Sequence, residues 1–171
     1  MVIWLLGISG SGKSTLGGKL RDFFKHANKN TFLIDGDVVR KFYESELGYS
    51  REERRENIQR IIFATSALSE SGVLTIVCNI SPFEDMRAFA RRKIKDYNEI
   101  YLKKNLETSI KTDVKKMYEK NLGHTPIVGI DIKFDEPINC DLVIDIKNKS
   151  VDDSFNKVME YLQAKYPEQF K

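Results

Sequence analysis

Gly7-Ile8-Ser9-Gly10-Ser11-Gly12-Lys13-Ser14 sets two glycines, a lysine and a hydroxyl at the spacing G-x-x-x-x-G-K-[ST]. That is the spacing of a loop that folds its backbone amides around a phosphate. It follows an apolar run, Val2 to Leu6, and opens a helix-compatible stretch. With glycine at about 7% of residues, the two glycines fall into place by chance at roughly one position in 200, so a plain structural turn is the weaker reading. Gly10 lets the amides turn inward, and the helix N-terminus adds partial positive charge. Gly7, Ser9, Gly10, Ser11, Gly12, Lys13, Ser14 and Thr15 are therefore the nucleotide-binding candidates. Lys13 is expected to bridge the β- and γ-phosphates of ATP, and Ser14 to ligate Mg²⁺.

Loops of this kind serve kinases, GTPases and ATPases alike, so other residues must separate them. No D-x-x-G follows the third apolar run, and Asn148-Lys149-Ser150-Val151 breaks the N-K-x-D pattern at its last position, which disfavours a GTPase. The run Val73 to Cys78 ends in Asn79, where an ATPase would place a metal-orienting carboxylate. The carboxylates stand instead at Asp35 and Asp37, after the second apolar run. Residues i and i+2 of an extended chain point the same way, so both can face the loop from one strand end. There they can orient a metal-bound water or take the proton of an attacking hydroxyl. The competing reading is a cap on a helix carrying Val38, Val39 and Arg40; one Asp suffices for a cap, which favours catalysis for the pair.

These side chains need a frame. Val2 to Leu6, Thr31 to Ile34, Val73 to Val77, Asn98 to Leu102 and Leu142 to Ile146 read as strands. Lys13 to Ala27 carries Leu16, Leu20, Phe23 and Phe24 on one helical face. Ser50 with Glu53 forms a capping box before a long helix striped by Ile58, Ile61, Ile62, Thr65 and Leu68, which Gly72 stops. Ser150 with Asp153 opens a last helix striped by Val151, Phe155, Val158, Met159 and Leu162. Strands separated by helices predict a parallel sheet covered on both faces, with Val73 to Val77 as its central strand. Residues 106–137, Lys-rich with scattered apolar positions, fit the scheme poorly and read as a mobile lid or a surface excursion.

Composition bounds the rest. A length of 171 residues fits one domain. Hydrophobic and charged fractions of 41% and 31% are globular values, unlike those of a disordered chain. A net charge of +3 is no basic stripe for a nucleic acid polymer. All nine arginines lie between Arg21 and Arg92, among them Arg40, Arg51, Arg54, Arg55, Arg60 and Arg87. The guanidinium fork grips phosphate-like oxygens at two points, so a small anion held by the first half is expected. A solvated helix face over residues 51–56 accounts for part of them. Cys78 and Cys140 lack metal-ligand spacing and read as reduced core thiols. The apolar N-terminus is too short for a signal peptide or a membrane span, so a cytoplasmic protein is expected.

Gly7 to Thr15, Leu33 to Arg40, Leu47 to Ile58 and Ile80 to Pro82, in that order, resemble adenylyl-sulfate kinases. The similarity is unbroken to about Arg92 and continues weakly to Asp145. It implies an α/β fold: a three-layer α/β/α P-loop kinase with a parallel five-stranded sheet and a lid over about 106–137, in a single domain spanning 1–171. It also implies transfer of the γ-phosphate of ATP, with Mg²⁺, to the 3′-hydroxyl of a small-molecule nucleotide bearing a 5′ anionic anhydride. Carried over by position, Arg40, Arg54 and Asn57 hold the acceptor's 5′ end, and Tyr49 stacks on its base where the family has Phe. Asp35 and Asp37 attend the 3′-hydroxyl and Mg²⁺, with Ser14 and Asp35 the metal candidates. Ile80 and Ser81 line the acceptor pocket. Ser81 is a catalytic candidate close to the transferred phosphate, although direct in-line transfer needs no covalent step on it. Lys115 takes the place of a lid lysine that neutralises the transition state. Family members are often dimers, so a homodimer is an expectation.

The departures fall in the second half. Thr112 stands where the family usually has an Arg near the ATP adenine, and Ile127 where it has the second aromatic wall around the acceptor base. Base stacking on an aromatic is worth about 1–3 kcal/mol, so losing one wall should weaken adenine capture roughly tenfold or more. Intact transfer chemistry beside an altered base pocket points to the same reaction on a smaller base. The chain is similar in this to a divergent branch that phosphorylates cytidine 5′-diphosphoramidate in capsule phosphoramidate synthesis, and that resemblance makes this nucleotide the expected acceptor. The alternatives are ordinary adenylyl sulfate and a nucleotide-binding regulator without catalysis; intact Lys13, Asp35, Asp37 and Arg40 argue against the last.

Overall fold

The computed structural model describes residues 1–43, 47–104 and 125–170. All five expected strands form, with ends moved by a residue or so: β1 (Val2–Leu6), β2 (Thr31–Asp35), β3 (Leu74–Cys78), β4 (Tyr97–Lys103) and β5 (Leu142–Asp145). They pair in parallel in the order β2-β3-β1-β4-β5. The centre is thus β1 rather than the more hydrophobic β3, which lies beside it. Both are buried at every residue, and two-sided burial erases the alternation that would have ranked them.

The helices are α1 (Lys13–His26), α2 (Gly36–Phe42), α3 (Arg51–Glu70) and α4 (Glu84–Lys93) between strands, and α5 (Val151–Lys165) after the last strand. Alternate residues of β1 feed two separate cores. Val2, Trp4 and Leu6 pack with Ile58 and Ile61 of α3 and Met86 of α4. Ile3 and Leu5 pack with Leu16 and Leu20 of α1 and with Val158 and Leu162 of α5. Both expected capping boxes form, at Ser50/Glu53 and Ser150/Asp153. In α4, Glu84 and Asp85 occupy the first turn and Arg91, Arg92 and Lys93 the last, in the sense that complements the helix dipole.

The chain runs from β1 to one side of the sheet and later returns to the other. A crevice therefore opens at the C-terminal ends of β1 and β3, where parallel sheets bind ligands. Part of the expected lid is not a lid. Val128 and Ile132 are buried in the core with Trp4 and Phe83, and the Asp135 amide donates to Pro82 O at 2.9 Å. Apolar residues too scattered to show a period in the sequence meet across the turn that joins β3 to α4. The preceding part of that segment, with Thr112 and Lys115, lies outside the described residues. Cys78 is a buried free thiol, as expected, whereas Cys140 is only half-buried at the core margin. Among the described residues no helix is long and apolar enough to cross a membrane.

Candidate active site

The loop between β1 and α1 is shaped by its glycines. Gly7 has φ +147°, and a Cβ there would lie 2.6 Å from Leu102 O. Gly10 and Gly12 also have positive φ. Lys13 is folded back into the loop: Nζ donates to Gly7 O and Ile8 O, each at 2.8 Å, and to Ser11 Oγ at 3.2 Å. Burial lowers its ammonium to about 8, the nearby carboxylates opposing that only in part. A polyphosphate would restore the charge, so the loop is built around a cation that wants an anion.

A cleft of about 270 Å³ runs from this loop toward α2 and α3. Of the nucleotide candidates, Ser9, Gly10, Gly12, Lys13, Ser14 and Thr15 line it. Gly7 and Ser11 do not; they shape and prop the loop from behind. Asp35, Asp37, Arg40, Arg54, Asn57 and Ile80 complete the lining, together with Gly36, Cys78 and Asn79. A second hollow of about 140 Å³ shares Gly10 and Gly12 and reaches Ile146 and Val151. A third hollow, about 860 Å³, opens beyond Ile8 at the ends of β4 and β5, but has neither the acidic pair nor the loop's glycines.

The two aspartates do not share a strand. Asp35 ends β2, and Asp37 lies in the first turn of α2, because the backbone turns at Gly36. Their duties differ accordingly. Asp35 Oδ1 accepts from the Asp37 amide at 2.9 Å as the N-cap of α2, and Oδ2 accepts from Ser14 Oγ at 2.6 Å. The Asp37 carboxylate has no hydrogen bond or ion pair among the described residues and faces the cleft. The sequence's two competing readings, cap and chemistry, are thus divided between the residues.

Across the cleft, two arginines build the wall. Arg40 Nη1 donates to Gly48 O, and its Nε is buried without a partner. Arg54 donates through Nε to Tyr49 O at 2.9 Å and through Nη2 to Pro126 O at 2.7 Å. Both guanidiniums lie over the Tyr49 ring, at 4.5 and 5.2 Å from its centroid. Arg54 therefore ties Tyr49 to the segment that carries Ile127. Glu53 fastens the same stretch, accepting from the Gly48 amide at 2.8 Å and the Ser50 amide at 2.9 Å.

Three expectations change. Ser81 is 1% exposed, its Oγ accepts from Trp4 Nε1 at 2.9 Å, and it does not line the cleft. Its left-handed backbone (φ +49°) is held by Arg87 Nη1, which donates to Ser81 O at 2.8 Å. Ser81 is thus a turn residue behind the cleft rather than a group in it. Asn57 spends Nδ2 on Gly36 O at 3.1 Å, which leaves Oδ1 buried and unpartnered. That spare atom is an acceptor, whereas an anionic 5′ end needs donors. Of the six arginines singled out, only Arg40 and Arg54 reach the cleft. Arg55 pairs with Asp85 and Arg60 with Glu56, Arg51 lies over Phe83, and buried Arg87 joins Ser81 O, Asp135 O and Glu84. Asn79, noticed in the sequence only as a missing carboxylate, lines the cleft between the acidic pair and the loop.

The donor set fits Mg²⁺. No group of three or more His, Cys, Asp or Glu side chains clusters among the described residues. Mg²⁺ is bound by one or two protein oxygens together with substrate phosphates, and Ser14 Oγ and Asp35 Oδ2 are such a pair.

A phosphate loop on the central strand of a parallel sheet, facing an acidic pair and a basic wall, defines a P-loop phosphotransferase. The sequence profile of adenylylsulphate kinase matches residues 1–145. The adenylyl-sulfate kinase of Oceanobacillus iheyensis is 36% identical over 168 residues, 96% of this chain and 84% of that protein. That of Clostridium kluyveri is 35% identical over 171 residues, 98% and 86% of the two chains. The solved structure of the Mycobacterium tuberculosis APS kinase CysC in complex with AMPPNP and APS superposes with a TM-score of 0.84 at 30% identity, covering 95% of this chain and 96% of that one. The chain belongs to the adenylylsulphate kinase family, and is an ATP-dependent phosphotransferase that uses ATP with Mg²⁺.

Proposed function

We propose that this chain transfers the γ-phosphoryl group of ATP to the 3′-hydroxyl of a nucleotide carrying a 5′ anionic anhydride, with adenylyl sulfate as the acceptor. One observation carries the assignment of roles: both oxygens of Asp35 are engaged, by Ser14 and by the α2 amide, while the Asp37 carboxylate at the cleft has no partner among the described residues. Asp37 takes the proton of the attacking hydroxyl as the O3′–P bond forms. The bond from Pγ to the β,γ-bridging oxygen breaks, and its electron pair leaves with ADP. Lys13 holds the β- and γ-phosphates, and the hollow beyond Gly12 accommodates the nucleoside end of ATP. Ser14 and Asp35 would hold Mg²⁺, which would supply positive charge against the phosphates of ATP. Arg40 and Arg54 face the acceptor's 5′ anion. The need for ATP supports a cytoplasmic reaction.

The names of the relatives reported above support adenylyl sulfate. Ile127 favours a second reading, cytidine 5′-diphosphoramidate, because an aliphatic residue stands where the family usually has a second aromatic for the acceptor base. ADP release by the purified chain, with each acceptor in turn, tests both. A hundredfold preference for adenylyl sulfate is expected on the first reading; the reverse preference establishes the second. On the first reading, Ile127→Phe lowers the KM for adenylyl sulfate several-fold, in line with the roughly 1–3 kcal/mol of one added stacking wall.

A further inference from the structure

Asn79 stands immediately beyond β3, between the strand ends that carry the chemistry. Its amide donates to Leu5 O at 3.1 Å, close to the start of the phosphate loop. Its side chain lies against Gly36, where an added Cβ would be 2.8 Å from Asn79 Oδ1. Any larger residue between the two aspartates would collide with this carboxamide. The oxygen end faces Gly36, and Nδ2 is buried with no hydrogen-bond partner. Leaving a buried donor unmet is costly, and folded proteins leave few of them. The cleft that Asn79 lines also holds Lys13, Ser14, Asp35 and Asp37.

We propose that Asn79 Nδ2 donates a hydrogen bond to a non-bridging oxygen of the phosphoryl group in transfer, which makes Asn79 a catalytic residue of the reaction proposed above, on which this inference rests. During transfer the negative charge spreads over three equatorial oxygens. Asp35 and Asp37 already bring two carboxylates to the cleft, and a third at the end of β3 would repel those oxygens. A carboxamide has the size of a carboxylate, carries no charge and presents a donor. Held by its neighbours before substrate arrives, it stabilises the transition state without reorganising. The ribose hydroxyl does not need this donor: its own proton requires an acceptor, and Asp37 supplies one.

The test compares the full chain with Asn79→Ala and Asn79→Asp. Three quantities are measured: kcat from ADP release, calorimetric affinity for Mg²⁺ complexes of AMPPNP and of ADP, and Tm. For Asn79→Ala, a kcat loss of roughly 10- to 100-fold is expected, with weaker AMPPNP binding and unchanged ADP binding. Asn79→Asp, nearly isosteric, should lose at least as much, because it sets a negative charge against the γ-phosphoryl oxygens. Should Asn79→Ala fail to fold, the Asp variant carries the test. Equal weakening of ADP and AMPPNP, or an Asp variant as active as the parent, overturns the proposal. If the parent chain releases no ADP with either acceptor, the proposed function fails, while the difference between AMPPNP and ADP still decides the role of Asn79.

Discussion

Beside the phosphate loop, short groups face the cleft from the first turn of α1 and from strand ends: Ser14 in α1, Asp35 at the end of β2, Asn79 just past β3. Across from them, the cleft is lined by the long guanidiniums of Arg40 and Arg54, which also hold the neighbouring segments that carry Tyr49 and Ile127; those two residues themselves do not line it. Arg40 reaches Gly48 O, and Arg54 spans from Tyr49 O to Pro126 O. Donor-side geometry is inherited from the sheet, whose backbone hydrogen bonds leave little freedom. Acceptor-side geometry depends on a few side chains that also offer charge to the ligand. A family can therefore keep its phosphoryl chemistry and vary its acceptor by changing the second region alone.

The comparison breaks most decisively at the acidic pair. Asp37→Asn should lower kcat by about 100-fold or more, the usual contribution of a positioned base, with Tm unchanged. Asp35→Ala should lower stability by about 1 kcal/mol through loss of the α2 cap, seen as a lower Tm. The opposite pattern would exchange their roles. Next in size is Arg54→Ala. Removing its charge-assisted contacts should raise the acceptor KM roughly tenfold or more, with the KM for ATP unchanged. Arg54→Lys should not restore it, because a point charge cannot bridge two carbonyls. Equal losses for ATP and acceptor would erase the division between the two regions.

The smallest effect concerns protons. Burial holds the Lys13 ammonium near 8, below its ordinary 10.5. The unfolded chain therefore binds more protons between those values, and the ligand-free protein should gain stability as pH rises through that window. ATP should draw the ammonium back up, so that binding at pH 8.5 takes up roughly half a proton or more. Calorimetry in two buffers of different ionisation enthalpy measures this uptake. Its absence would mean that Lys13 is already fully charged before nucleotide arrives.

Much was legible in the sequence because it is written over short windows. The phosphate loop, the two capping boxes and the five strands each depend on residues within a few positions of one another, where backbone geometry and hydrophobic period decide. Even Ile127 could be singled out, since a motif marks its place. What tertiary structure alone decided are pairings between distant segments. The turn at Gly36 moved Asp37 off the strand and left Asp35 to cap. The hydroxyl of Ser81 met Trp4, 77 residues away, and so left the cleft that its motif assigned to it. Arg87, read as one more cation for an anion, is spent on Ser81 O and Asp135 O instead. Asn79 became a site residue only when three strand ends closed around it. A side chain's type limits which bonds it can make, but which bonds it makes depends on what the fold brings within about 3 Å, and no local pattern encodes that distance.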